Sequence, residues 1–136
     1  MTSRLLVPSA ATLLLVLSTP AAVAQARWKD IGPTSSGNRV SVDARSVKRT
    51  GDLVSATVRV VFATPVQTPR GKWAVAHTKA TVDCRRRMLA AKENAYYADV
   101  KATRLVERKV NAIPGYSTTL DGSLGRVALT HLCGTR

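Results

Sequence analysis

The stretch LVSATVRVVF, residues 53–62, decides how this chain is read. Val54, Ala56, Val58, Val60 and Phe62 fall on one side of an extended backbone; Ser55, Thr57 and Arg59 fall on the other. A period of two is what a strand with one buried face requires, because successive side chains point to opposite sides of a sheet. Residues 64–71, TPVQTPRG, are dense in proline and read as a loop. A second long strand is expected over Trp73–Cys84. Ala74, Ala76, Thr78, Ala80, Val82 and Cys84 share one of its faces; Trp73, Val75, His77, Lys79, Thr81 and Asp83 share the other. Small residues dominate the cysteine's face, so a neighbouring element is expected to pack closely over it.

Upstream, Arg27–Ile31 reads as a first strand, and residues 32–38, GPTSSGN, as turn chemistry. Arg39–Asp43 alternates and reads as a second strand, followed by a turn at 48–52, KRTGD. Downstream, Asn111–Ser117 reads as a loop. Ser117 or Thr118 is the expected cap of a helix whose apolar face is Leu120, Leu124, Val127, Ala128 and His131 or Leu132. Gly134 suits the helix stop. Strands followed by one helix give an α+β class: an antiparallel sheet of about five to six strands with a C-terminal helix packed on one face. The small-residue face ending in Cys84 is the expected dock for that helix. The segment between is ambiguous. Local propensity in RRRMLAAKENAYYAD, residues 85–99, favours helix, whereas Tyr96-Tyr97 and Thr103–Glu107 favour strand.

The N-terminus carries a targeting pattern. Arg4 precedes the apolar run Leu13–Leu17, and Ala22-Val23-Ala24 and Ala24-Gln25-Ala26 both fit the small-x-small cleavage rule. Residues 1–26 therefore read as a signal peptide, the run being too short and interrupted for a comfortable membrane span. The expected mature domain is 27–136, exported to periplasm, cell surface or medium. An exported chain meets an oxidising compartment. The only two cysteines, Cys84 and Cys133, are expected to pair. Cys84 is followed by Arg85, Arg86 and Arg87, and a thiol beside positive charge is also the pattern of a reactive cysteine. With no CxxC and no assignable Cys/His/Asn set, the structural bridge is the stronger reading.

The chain has 21 Lys+Arg and 8 Asp+Glu, a formal net charge of +13. Such an excess points to polyanionic partners: sulfated glycan, nucleic acid or phosphate head groups. Aromatic content of 4% argues against a base-stacking platform for single strands. The cations concentrate in one segment, and Arg85, Arg86, Arg87, Lys101, Arg104, Arg108 and Lys109 are the candidate binding residues. The bland reading is a solvated edge that blocks edge-to-edge association. No catalytic constellation is assignable. His77 and His131 have no metal-ligand spacing, the carboxylates are scattered, and there is no Gly-rich phosphate loop. No enzyme activity, metal or cofactor is expected.

The ordered landmarks resemble the surface-adhesin protein E-like domain of bacterial exported and outer-membrane proteins. They are Trp28 with Ile31-Gly32; Val40–Asp43, Ser46 and Val47–Gly51; Asp83-Cys84 with Arg86 or Arg87; Tyr96-Tyr97; Ile113-Pro114-Gly115 with Ser117; and Cys133. The chain departs from the family at Val110 or Asn111, where an aromatic residue is common, and at Tyr116, inserted before Ser117. The resemblance implies a helix-flanked antiparallel sheet, a Cys84–Cys133 bridge, and a strand pair over Arg85–Val110 in which Arg85 and Arg87 face one way and Arg86 the other. It implies an adhesin-like binding domain for a host or matrix protein or a polyanionic glycan. An envelope-associated structural domain and a non-specific polyanion or nucleic-acid binder are the other expected classes.

Overall fold

The computed structural model describes residues 27–135, so the signal-peptide reading of 1–26 lies outside the described residues. The elements in chain order are β1 (Trp28–Pro33), β2 (Arg39–Asp43), β3 (Lys48–Thr50), β4 (Leu53–Thr68), β5 (Gly71–Asp83), β6 (Met88–Tyr97), β7 (Leu105–Val110), β8 (Ser117–Thr118) and α1 (Leu124–Cys133). All strand pairs are antiparallel. The main path across the sheet is β1-β2-β4-β5-β6-β7, with β3 pairing β4 and β8 pairing β6.

The eight strands occupy six tracks. β2 pairs Val58–Val61 of β4 and β3 pairs Leu53–Ser55 of the same strand, so β2 and β3 are two halves of one interrupted track. Ser46 bridges the gap. Its Oγ donates to Asp43 O at 2.8 Å and accepts from the Thr57 N–H at 2.7 Å, satisfying a ladder donor that faces the break. β7 and β8 repeat the arrangement along β6. Asn111 bridges them, its N–H donating to Lys92 O at 2.9 Å and its side chain to Ala91 O at 2.7 Å. The expectation of five to six strands thus describes the tracks.

The alternation in 53–62 builds the core. Val54, Ala56, Val58 and Val60 are buried on the helix side, opposite Val82, Ala80, Thr78 and Ala76 of β5. α1 lays Ala128, Leu129 and Leu132 on this surface. The small residues on β5 let the helix approach, as the cysteine-bearing face suggested. The Cys84–Cys133 bridge ties the end of β5 to the last turn of α1, with the Cα atoms 5.3 Å apart. Arg49 and Arg87 donate to Leu132 O and Gly134 O at 2.7 and 2.8 Å, placing cations where a helix exposes unpaired carbonyls.

Five expectations are corrected. Residues 64–68 are strand: the register shifts between Val61 and Val66 absorb Pro65, which has no N–H to give the ladder, and the turn shrinks to Pro69-Arg70. Lys48–Thr50 is strand β3, leaving Gly51-Asp52 as the turn. The helix is capped by Ser123, whose side chain accepts from the Arg126 N–H; Ser117-Thr118 is strand β8, and Leu120 is 79% exposed. Trp73 does not sit with Val75 and His77 but stacks on Tyr96, at the irregular end of the β4–β5 ladder. Arg85–Arg87 is a tight turn, with Arg87 at φ 57°, so the arginines do not alternate along a strand. The strand pair implied by the resemblance is present as β6 and β7, against local helix propensity. Tertiary pairing on both edges of β6 outweighs differences of a few tenths of a kcal/mol per residue.

Candidate functional site

The candidate cations separate into two groups. Arg85, Arg86 and Arg87 occupy the β5–β6 turn, beside the disulfide. Lys101 and Arg104 lie in the β6–β7 loop, one ten-residue strand away, about 30 Å at the rise of an extended chain. Arg108 and Lys109 are adjacent on β7 and project to opposite faces.

Each arginine of the run has its own partner. Arg85 pairs with Asp52 at 2.7 Å, Arg86 with Asp83 at 2.7 Å, and Arg87 donates to the backbone past the helix end. Arg86 also lies over the Tyr116 ring at 5.1 Å. The backbone N–H and guanidinium of Arg86 hold the Asp83 carboxyl below its ordinary pKa. Sequence reading missed two cations that β3 carries toward this end of the sheet, Lys48 and Arg49, and Arg45 in the connection before it. Strand register carries Lys48–Thr50 along Leu53–Ser55 of β4, toward the end where Leu53 opposes Asp83. Lys48 and Arg49 thus lie toward the end that carries Arg85–Arg87, with Arg45 in the connection leading into β3, and Arg45 and Lys48 make no ion pair among the described residues.

The second group is more neutralised. Arg108 pairs with Glu93 at 3.1 Å, and Glu107 faces both Arg70 at 3.4 Å and Lys109 at 3.7 Å. The Lys109 ammonium sits 5.5 Å and 5.7 Å from the Trp73 and Tyr96 ring centroids. Asp99 organises the loop that carries Lys101 and Arg104. It accepts from the Thr103 hydroxyl and the Thr103 and Arg104 N–H groups, which hold its pKa down to about 2.

The sheet face away from the helix carries a third cluster. His77 lies between Trp28 and Tyr97, with both ring centroids at 5.0 Å. Arg27 and Arg59 approach the Trp28 ring at 5.6 and 5.7 Å. Arg59 also donates to Val100 O, fastening the β6–β7 loop across this face. Arg27 pairs with buried Asp43 at 2.8 Å. Burial chiefly, and then Arg59 and Arg27, lower the His77 pKa, against the opposing pull of Asp43. His77 is a packed strand residue. His131 is exposed on α1, and its pKa is lowered by partial burial and by Lys29. Among the described residues no three His, Cys, Asp or Glu groups gather as a metal site, and no helix is long and apolar enough to cross a membrane.

On the helix side the ten-residue α1 leaves part of the sheet uncovered. A cleft of 430 Å³ lies between the start of the helix, the β1–β2 loop, the middle of β4 and β5 and the end of β6; an adjoining pit of 170 Å³ runs under α1. Thr78, Asn94 and Leu124 line both. The end wall is tight: Ser35 N–H donates to Gly122 O at 2.9 Å, and a Cβ on Gly122 (φ 73°) would meet Ser35 Cβ at 2.6 Å.

A family described as surface-adhesin protein E matches residues 28–134. Two solved structures of Haemophilus influenzae protein E share the fold. Crystal form II is 11% identical with a TM-score of 0.51, over 69% of this chain and 79% of that one. The selenomethionine form is 10% identical with a TM-score of 0.53, over 79% and 85%. No curated protein matches the sequence.

Proposed function

Because the chain belongs to the surface-adhesin protein E family, we propose that it is an exported, adhesin-like binding domain that engages a host or matrix protein or a sulfated glycan through the cations around its disulfide end. In this reading residues 1–26 are the signal peptide and 27–136 the binding domain. The observation that carries it is the run of cations from Arg45 before β3, through Lys48 and Arg49 on β3, to Arg85, Arg86 and Arg87 in the β5–β6 turn, with Asp52 and Asp83 as the acidic groups paired into that set. Arg49 and Arg87 are held by helix-end carbonyls and Arg86 by Asp83 and Tyr116, so these charges are fixed before a ligand arrives. Preorganised charge binds with less loss of side-chain freedom than flexible charge. Lys101, Arg104, Arg108 and Lys109 form a separate, more neutralised set that serves as the internal comparison.

The test is binding of the oxidised protein to immobilised vitronectin, laminin, heparin and duplex DNA across a salt series. Saturable binding to a matrix protein or heparin near physiological salt is expected, with DNA weaker. The Arg45→Ala/Lys48→Ala/Arg85→Ala variant should lose most of it, and Lys101→Ala/Arg104→Ala little. Equal binding to heparin and DNA that vanishes with salt would mark a generic polycation, since counterion release is indifferent to the partner. Loss of binding in the second variant alone would move the site to the other end.

A further inference from the structure

We propose that the cleft beside the start of α1 is a binding site for a neutral N-acetylated hexosamine, of the kind that terminates or repeats in surface glycans. The site is distinct from the basic turns, whose residues line neither the cleft nor the pit, so the inference does not depend on the polyanion reading.

Charge is the first argument. In a chain of net charge +13, no lysine or arginine among the described residues lines either the cleft or the pit, and Asp121 is the one charged residue among them that does. A sulfated or carboxylated ligand gains nothing at such a site, whereas a neutral one is not penalised. The volume of 430 Å³ falls within the range of about 300–1,000 Å³ typical of small-molecule sites.

The second argument is the disposition of polar groups. Asn94 sits where cleft and pit meet. Its Oδ1 takes the Thr78 hydroxyl at 2.7 Å, which orients the amide and leaves Nδ2 without a hydrogen bond among the described residues. An acetamido carbonyl can accept from that Nδ2. Its methyl group then enters the pit, which is walled by Ala80, Ala91, Gly125 and Ala128. The pit is open because these four residues are small, and its mostly apolar lining accepts a methyl while a polar substituent without a partner would be penalised. In the cleft proper, Tyr96 offers a ring wall for the apolar face of the sugar. Trp73 stacked behind it at 3.8 Å fixes the ring beforehand. The Asp121 carboxylate is available to sugar hydroxyls. The floor is the face of a fully paired sheet, so an extended peptide finds no strand edge there to extend.

The experiment uses the oxidised protein, ¹⁵N-labelled, titrated to tens of millimolar with N-acetylglucosamine, with glucose, and with N-acetylglycine N-methylamide. Saturable shifts of the Asn94 side-chain amide and of the Leu124 and Gly125 amides are expected with N-acetylglucosamine and not with glucose. Asn94→Ala should weaken the sugar at least tenfold with an unchanged circular dichroism spectrum. Should Asn94→Ala fail to fold, Ala91→Leu, which fills the pit from its floor, should abolish the same shifts. Equal shifts with glucose and N-acetylglucosamine, no shift with either, or shifts only with the peptide amide would each overturn the assignment.

Discussion

Replacing both bridge cysteines, Cys84→Ala/Cys133→Ala, tests how the helix is held. The bridge spans 49 residues. In the chain-entropy description, closing a loop of that length removes about 14 cal/mol/K from the unfolded chain, or about 4 kcal/mol at 25 °C. With an unfolding entropy of about 2.1 cal/mol/K per residue over roughly 110 residues, the melting temperature should fall by about 15–20 °C. The native structure should survive. Leu129 is 1% exposed and Leu132 7%, and the surface that they and Ala128 bury does not depend on the bridge. Urea unfolding followed by far-ultraviolet circular dichroism and by tryptophan fluorescence gives the free energy, and a thermal scan gives the melting temperature. The expected result is an unchanged native spectrum with the midpoint shifted by the full amount. A loss under about 1 kcal/mol would refute the entropic argument. A spectrum that lost its helix while the sheet persisted would refute the claim that apolar packing docks α1.

Other substitutions address the remaining contacts. Leu129→Ala should cost about 2–5 kcal/mol in the same assay, as for a fully buried leucine whose cavity does not collapse. The His77 pKa is lowered in the folded chain, so the unfolded chain takes up its proton first as acid is added. Stability should therefore be full above pH 6.5 and decline as pH falls below it, and His77→Gln should flatten that part of the curve to what His131 contributes. The Asp99 pKa is depressed from 3.8 to about 2, so its contribution is complete above pH 4 and lost as pH falls toward 2. Asp99→Asn should raise hydrogen exchange at the Thr103 and Arg104 amides at neutral pH, and unchanged exchange would count against its role.

Much of the architecture was legible because it rests on one residue's relation to its neighbours. The alternation of Val54, Ala56, Val58 and Val60 needs no knowledge of the rest of the chain, and neither does the small face of β5 that receives α1. What was hidden depends on distant partners. Residues 88–97 carry helix formers, yet both edges of β6 are occupied by other strands, and the backbone pairs settle the matter. Ser46 and Asn111 look like ordinary turn residues until the tracks they bridge are known. The cation site was half legible. The arginine run was visible as charge, but its companions Arg45, Lys48 and Arg49 join it only through the register of β3 and β4, and Lys101 and Arg104 leave it through the length of β6. The Trp28–His77–Tyr97 group draws on β1, β5 and β6, and no local pattern announces it.

The strand path β1-β2-β4-β5-β6-β7 follows the chain almost in order, whereas α1 comes last. Sheet neighbours can therefore pair from nearby segments of chain, whereas the helix that roofs them docks from beyond the last strand. Until Ala128, Leu129 and Leu132 dock, the valine and alanine surface of β4 and β5 has no cover, and the partner of Cys84, 49 residues along the chain, is out of reach. Docking of α1 is thus the step that closes the core. A chain that lacked Leu124–Cys133 would leave a paired sheet with one bare apolar side, the kind of intermediate that self-associates.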